Sequence, residues 1–160
     1  MPPPTRTIAC LLYPGVMSLD AVGPMQVFGS ANAERTGHGL APAYALRLLA
    51  EAAGPVTTSA GFALVADGSW AATDPAGLDT VLVAGGDGVA DQLGHAGMLQ
   101  WLHHAEPRVR RLGSVCSGAL LLAQAGLLDG LRATTHWCRM ERMRRDYPGV
   151  QVDEDCLHTY

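Results

Sequence analysis

Two continuous apolar runs end abruptly in glycine, and this constrains the fold more than anything else in the chain. Thr7–Tyr13 reads TIACLLY and stops at Pro14-Gly15; Leu78–Ala84 reads LDTVLVA and stops at Gly85-Gly86. A run with successive apolar positions, instead of alternating ones, is that of a strand buried on both faces. Such strands belong to mostly parallel sheets, which need a helical crossover between neighbours. The rest of the chain supplies them. Leu19–Ala33 carries Leu19, Val22, Met25, Val27 and Phe28 at helical spacing, with Ser18 as its expected N-cap. Val89–Ala105 is expected as one helix ended by Pro107, Gly118–Leu128 as a strongly apolar helix closed by Gly130, and Trp137–Tyr147 as a short basic helix. Strands are expected at Tyr44–Ala50, Arg111–Val115 and Val150–Val152, with a small hairpin from Val56–Thr58 and Phe62–Ala66. The fold class is therefore α/β, doubly wound, with helices on both faces of a mostly parallel sheet. Ligands of such sheets sit beyond the carboxyl ends of the strands, which directs attention to the turns after Tyr13, Ala84 and Val115.

At 160 residues the chain has room for one domain. Eleven basic residues, all arginine, face fifteen acids for a net charge of −4, so no basic stripe marks a nucleic-acid surface. The nearest approach to one, Arg139, Arg142, Arg144 and Arg145, reads as a solvated helix face. The four cysteines, at 10, 116, 138 and 156, fit no zinc framework, and no metal or cofactor is expected. Val83–Gly88 (VAGGDG) is not a dinucleotide fingerprint, and there is no P-loop. The N-terminal apolar run is too short for a secretory signal and no run is long enough to span a bilayer, so the expectation is a cytoplasmic protein with reduced thiols.

Ser114-Val115-Cys116-Ser117-Gly118 joins a strand to a helix in one turn, in the pattern of a nucleophile elbow with cysteine as nucleophile. A helix N-terminus favours a thiolate, so a lowered Cys116 pKa is expected; the alternative is a buried apolar cysteine ahead of a core helix. Gly85 and Gly86 can bring backbone N–H groups toward developing negative charge or form an ordinary strand-to-helix turn. Asp20, alone in an apolar stretch, is either a first-turn helix acid or a partner for the thiol. His136, in Ala133-Thr134-Thr135-His136-Trp137, is a base, a ligand donor or a satisfied histidine. His103 and His104 lie at an exposed helix end and carry no chemistry. Neither a Ser-His-Asp arrangement nor a carboxylate pair of glycosidase type is present.

Together these segments resemble one family. Leu11-Leu12-Tyr13-Pro14-Gly15-Val16, Leu19-Asp20-Ala21-Val22-Gly23-Pro24 with Val27-Phe28, Val83-Ala84-Gly85-Gly86, Ser114–Ala119 and Ala125–Trp137 are similar to the DJ-1/PfpI (class I glutamine amidotransferase-like) superfamily, over residue 6 to the end. The nearest branches are the N-terminal sensor domains of AraC/XylS-type transcription regulators and the isonitrile hydratases. The resemblance implies a flavodoxin-like homodimer. It makes Cys116 the elbow nucleophile and Asp20 the acid on its thiol. It places an anion hole at the N–H groups near Gly86 and Ser117, and His136 close to the pocket. Ser117 stands where amidase- and protease-like branches carry histidine, which argues against a Cys-His hydrolase. The regulator branch continues with a closing helix and a DNA-binding domain, so the chain reads as a DJ-1/PfpI-like domain stopping before that helix, with DNA reached only through a region beyond it. The leading expectation is a small-molecule sensor domain with little or no turnover. The alternatives are a cysteine-dependent hydratase or lyase acting on a small electrophile, and a redox sensor oxidised at Cys116.

Overall fold

The N-terminal apolar run forms the central strand of the molecule. In the computed structural model, which describes residues 4–160, β1 (Arg6–Leu11) is followed by α1 (Ser18–Gly37) and β2 (Tyr44–Ala50). A hairpin of β3 (Gly54–Thr57) and β4 (Ala63–Ala66), and a two-residue strand β5 (Gly68–Ser69), lead to β6 (Thr80–Val83). Then come α2 (Val89–Gln92), α3 (Ala96–Ala105), β7 (Arg111–Ser114), α4 (Ala119–Gln124), β8 (Arg132–Ala133), α5 (Met140–Asp146) and β9 (Gln151–Val152). The main sheet has the order β5-β2-β1-β6-β7, and every pairing in it is parallel. This is the doubly wound, flavodoxin-like arrangement of a mostly parallel sheet with helices. The order reverses beside β1, whose neighbours are β2 on one side and β6 on the other. The crevice for a ligand in such a sheet lies at this reversal.

The apolar runs are buried as their pattern requires. Leu11, Leu12, Val81 and Val83 have no exposed surface, and Tyr13 and Val16 close the carboxyl end of β1. In α4, all of Ala119–Ala123 are buried.

Several boundaries differ from the sequence expectation, each for a local reason. Ser18 is not the cap of α1; Met17 holds that position, and no side chain caps the helix. The backbone does it instead, since the Met17 N–H bonds the Gly85 carbonyl at 2.8 Å and the helix start is pinned to the turn after β6. The expected single helix over 89–105 breaks at Leu93-Gly94-His95, because His95 Nδ1 accepts the Met98 N–H at 3.1 Å and caps a fresh helix. The helix expected to reach Leu128 ends at Gln124. There the Gly126 and Leu127 N–H groups return to the carbonyls of Ala123 and Leu122, the Schellman pattern of a helix stop. The basic helix begins with a tight 3-10 turn, Trp137–Arg139, before α5. Its arginines are neutralised locally, with Arg142 and Arg145 on Asp146 and Arg144 on Glu154.

Candidate functional site

β6 and β7 run side by side and release their chains at the same edge of the sheet. Beyond β7 the chain makes a 3-10 turn, Cys116–Gly118, that feeds α4. Cys116 has φ +57°, the one non-glycine residue in the left-handed region among the described residues. Backbone strain of that kind in the middle of a strand-to-helix turn is what the elbow pattern requires. Gly118 makes the turn possible. A Cβ there would run into the carbonyl oxygens of Val83 and Ala84, so any side chain would push α4 off β6.

Three chain segments meet behind the thiol. Asp20, in the first turn of α1 and only 9% exposed, accepts the Gly85 N–H on Oδ2 at 3.0 Å. The Gly86 N–H donates to Ser117 Oγ, also at 3.0 Å. Gly85 is wedged between them: a Cβ would lie 2.7 Å from Ser117 N and 2.8 Å from Asp20 Oδ2. Tyr13, at the end of the first apolar run, donates its hydroxyl to the Ala84 carbonyl. The Asp20 carboxyl and the Ser117 N–H and hydroxyl lie near enough to the Cys116 thiol to act on its titration. Asp20 and Cys116, far apart in the chain, therefore meet in the fold.

The electrostatics run against the expectation of a lowered thiol pKa. Burial pushes the Cys116 thiol above its ordinary 9.0, and the Asp20 charge beside it pushes the same way; the Ser117 N–H pulls down but does not win. The helix behind the elbow is too short to reverse this, since α4 has six residues. The same two causes, burial first and Asp20 second, raise Cys10 to about 12 and raise Tyr13 well above its ordinary value. The site is a nest of protonated groups around one buried carboxyl.

A family model for the DJ-1/PfpI family matches residues 6–158. The chain belongs to the DJ-1/PfpI family. It is 35% identical over 130 residues to an isonitrile hydratase of Pseudomonas putida, covering 81% of this chain and 52% of that one. It is 32% identical over 149 residues to the HTH-type transcriptional regulator CdhR of Pseudomonas aeruginosa, covering 91% of this chain and 41% of that one. A crystal structure of a ThiJ/PfpI family protein from Pseudomonas syringae superposes with a TM-score of 0.78 at 31% identity, over 92% of this chain and 57% of that one. The chain thus spans about half the length of these relatives, or less.

Within this DJ-1/PfpI domain a cavity of about 980 Å³ opens beside the elbow. Cys116, Thr135, His136 and Trp137 stand on its wall, with Ile8, Leu82 and Leu112 as apolar surface from the sheet. Of the six residues singled out from sequence, Cys116 and His136 line the cavity, whereas Asp20 is bonded to Gly85 and Gly86 to Ser117 behind the thiol. The Gly86 N–H, expected to help form an anion hole, donates to Ser117 Oγ in this structure. The reason is the serine itself, a short hydroxyl that folds back onto the turn. His136 is engaged on one side of its ring. Its Nδ1 accepts the Cys138 N–H at 3.3 Å and lies 2.9 Å from Cys138 Sγ, so the ring serves the turn it begins. Two contributors escaped the sequence reading. The Tyr13 hydroxyl was hidden because Tyr13 looked like strand filler. Thr135, whose Oγ1 donates to the Cys116 carbonyl at 3.0 Å, was hidden beside the more conspicuous His136. Among the described residues, no group of three or more His, Cys, Asp or Glu side chains is placed to hold a metal ion.

Proposed function

We propose that this domain is a small-molecule sensor of the kind that precedes the DNA-reading module of AraC-type regulators, binding its ligand in the Cys116 cavity with little or no turnover. One observation carries the reading: the groups that would drive acyl or addition chemistry are spent inside the protein. The Gly85 N–H is bound by Asp20, the Gly86 N–H by Ser117, and the thiol is held in its protonated form. A site so satisfied recognises a ligand by shape and by the polar faces of Cys116 and His136 and has little left for stabilising a transition state. The likeness to a transcriptional regulator over 91% of this chain supports the same reading.

The domain acts as a homodimer on this reading. The outer side of α1 supports it, with Leu19 72% and Val27 68% exposed. DNA is reached through a separate module, since the net charge is −4 and three of the clustered arginines are paired with acids. We place the protein in the cytoplasm, consistent with four unbridged cysteines. No helix among the described residues is long and apolar enough to cross a membrane.

The second reading, a hydratase for isonitriles or similar small electrophiles, is favoured by the Asp20–Cys116 contact and by the 35% identity to an isonitrile hydratase. There the thiol would give its proton to Asp20, the sulfur would add to the isonitrile carbon as Asp20 returns that proton to the same carbon, and water would add to the resulting thioimidate and break its C–S bond, releasing a formamide and the free thiol. One experiment separates the two. Wild type and Cys116→Ala are screened against small metabolites by thermal shift and, in parallel, incubated with an alkyl isonitrile under NMR observation. The sensor reading expects a ligand-induced stabilisation that the Cys116 variant weakens, with formamide at background. Steady-state formamide production that disappears in Cys116→Ala overturns it in favour of the hydratase.

A further inference from the structure

Gly118 gives the elbow room for its strained conformation but does not itself hold Cys116 in it. No side chain caps the 3-10 turn it opens, and its φ of +57° is one that a non-glycine residue keeps only when its surroundings impose it. One side chain outside the elbow reaches that backbone. Thr135 is 8% exposed, and its Oγ1 donates to the Cys116 carbonyl oxygen at 3.0 Å. Rotating Cys116 into an ordinary right-handed conformation would swing this peptide group and break the bond.

Thr135 also stands on a firm base. It lies just past β8, which is laddered in parallel with β9, and the Asp153 N–H bonds the Ala133 carbonyl at 2.9 Å. The neighbouring Thr134 hydroxyl donates to the Cys156 carbonyl at 3.5 Å. Two adjacent threonines thus tie the elbow to the carboxyl-terminal segment, one hydroxyl in each direction.

We propose that Thr135 is a positioning residue: through the Cys116 carbonyl it locks the elbow in its left-handed form and so keeps the thiol against Asp20 and the Ser117 N–H. The inference rests on Cys116 being the functional thiol, but not on whether the site senses or turns over. With the strut in place, the thiol stays in the buried, acid-facing position that raises its pKa. With the strut removed, Cys116 relaxes outward and titrates closer to an ordinary thiol.

The test is the pH dependence of iodoacetamide alkylation at Cys116, read by peptide mass spectrometry in the full chain, for wild type, Thr135→Val and Thr135→Ser. It needs no ligand and no turnover, so it can fail while the sensor reading stands, and the reverse. Thr135→Val keeps the branched shape and removes the hydroxyl; its profile moves to lower pH and its rate at neutral pH rises about threefold to tenfold, the scale of one buried hydrogen bond. Thr135→Ser restores the hydroxyl and the wild-type profile. A folded Thr135→Val protein with an unchanged profile overturns the proposal. So does a folded Thr135→Ser protein whose profile has shifted, because the methyl group and not the hydroxyl would then be what matters; this second variant decides the matter even if Thr135→Val does not fold.

Discussion

The elbow at Cys116 and the turn at Cys138 are built on one plan with opposite results. Each cysteine sits in a single 3-10 turn that opens a short α-helix. Cys116 is half-buried, backed by the Asp20 carboxyl, and held by its neighbour Ser117 and by Thr135 from a distant segment. Cys138 is exposed and its contact is with His136, two residues away in its own turn. Position at a helix start therefore does not make a thiol reactive. Burial and the sign of the neighbouring charge outweigh a helix of six residues, and here both favour the protonated form.

The comparison breaks most violently if the elbow can be rebuilt around a larger residue. Gly118→Ala places a methyl group into the carbonyls of Val83 and Ala84, and a loss of about 3 kcal/mol or more in chemical denaturation is expected. Gly94→Ala, where nothing lies within 4 Å, is the matched control and shifts stability by less than about 1 kcal/mol. Equal effects at the two positions would mean that the elbow tolerates repacking.

The next effect is a ranking of thiols. At neutral pH iodoacetamide labels exposed Cys138 first, half-buried Cys116 more slowly, and Cys10 not at all in the folded state, since burial limits access and a raised pKa lowers the thiolate fraction. A thiol whose folded pKa is raised stabilises the fold fully below the unfolded value near 9.0. That stability is lost as pH climbs toward the raised folded values, about 12 for Cys10. Labelling of Cys116 should accordingly keep accelerating above pH 9. A Cys116 that outpaces Cys138 at neutral pH would restore the idea of an activated nucleophile.

The smallest effect isolates the charge. Asp20→Asn removes the acid but keeps a group of the same shape beside Gly85, so the Cys116 titration moves down and its labelling quickens. Burial remains, and it is the larger cause, so the thiol does not become ordinary. An unchanged titration in a folded Asp20→Asn protein would show that the carboxyl does not act on the sulfur.

The parts of this molecule that were legible in the sequence are those where one residue type has one structural meaning. TIACLLY and LDTVLVA each hold an unbroken apolar stretch, Ile8–Tyr13 and Val81–Ala84, and both became buried parallel strands. Small residues around a cysteine announced a tight, strained turn, and Cys116 has a left-handed backbone. What stayed hidden depends on partners far away in the chain. Ser117 read as the loss of a histidine and as an N–H in an anion hole, yet its hydroxyl captures the Gly86 N–H that the pattern had left free. The strand Gly68–Ser69 exists because β2 offers it an edge, not because of its own residues. The thiol's pKa went the wrong way because a helix start can be read locally, whereas desolvation cannot.

The site is also the last thing this chain can make. Asp20 meets Gly85 across 65 residues, Gly86 meets Ser117 across 31, and Thr135 must be present before Cys116 is held. Its first strand, β1, waits at the middle of the sheet for β6, which is made long after it. A protein assembled in this order spends the early part of its synthesis with the β6 edge of β1 unpaired and with no pocket, and pairing of such distant segments is slow. The cavity beside Cys116 is then a certificate of completed folding: a ligand that fits it selects finished molecules from all the partial ones.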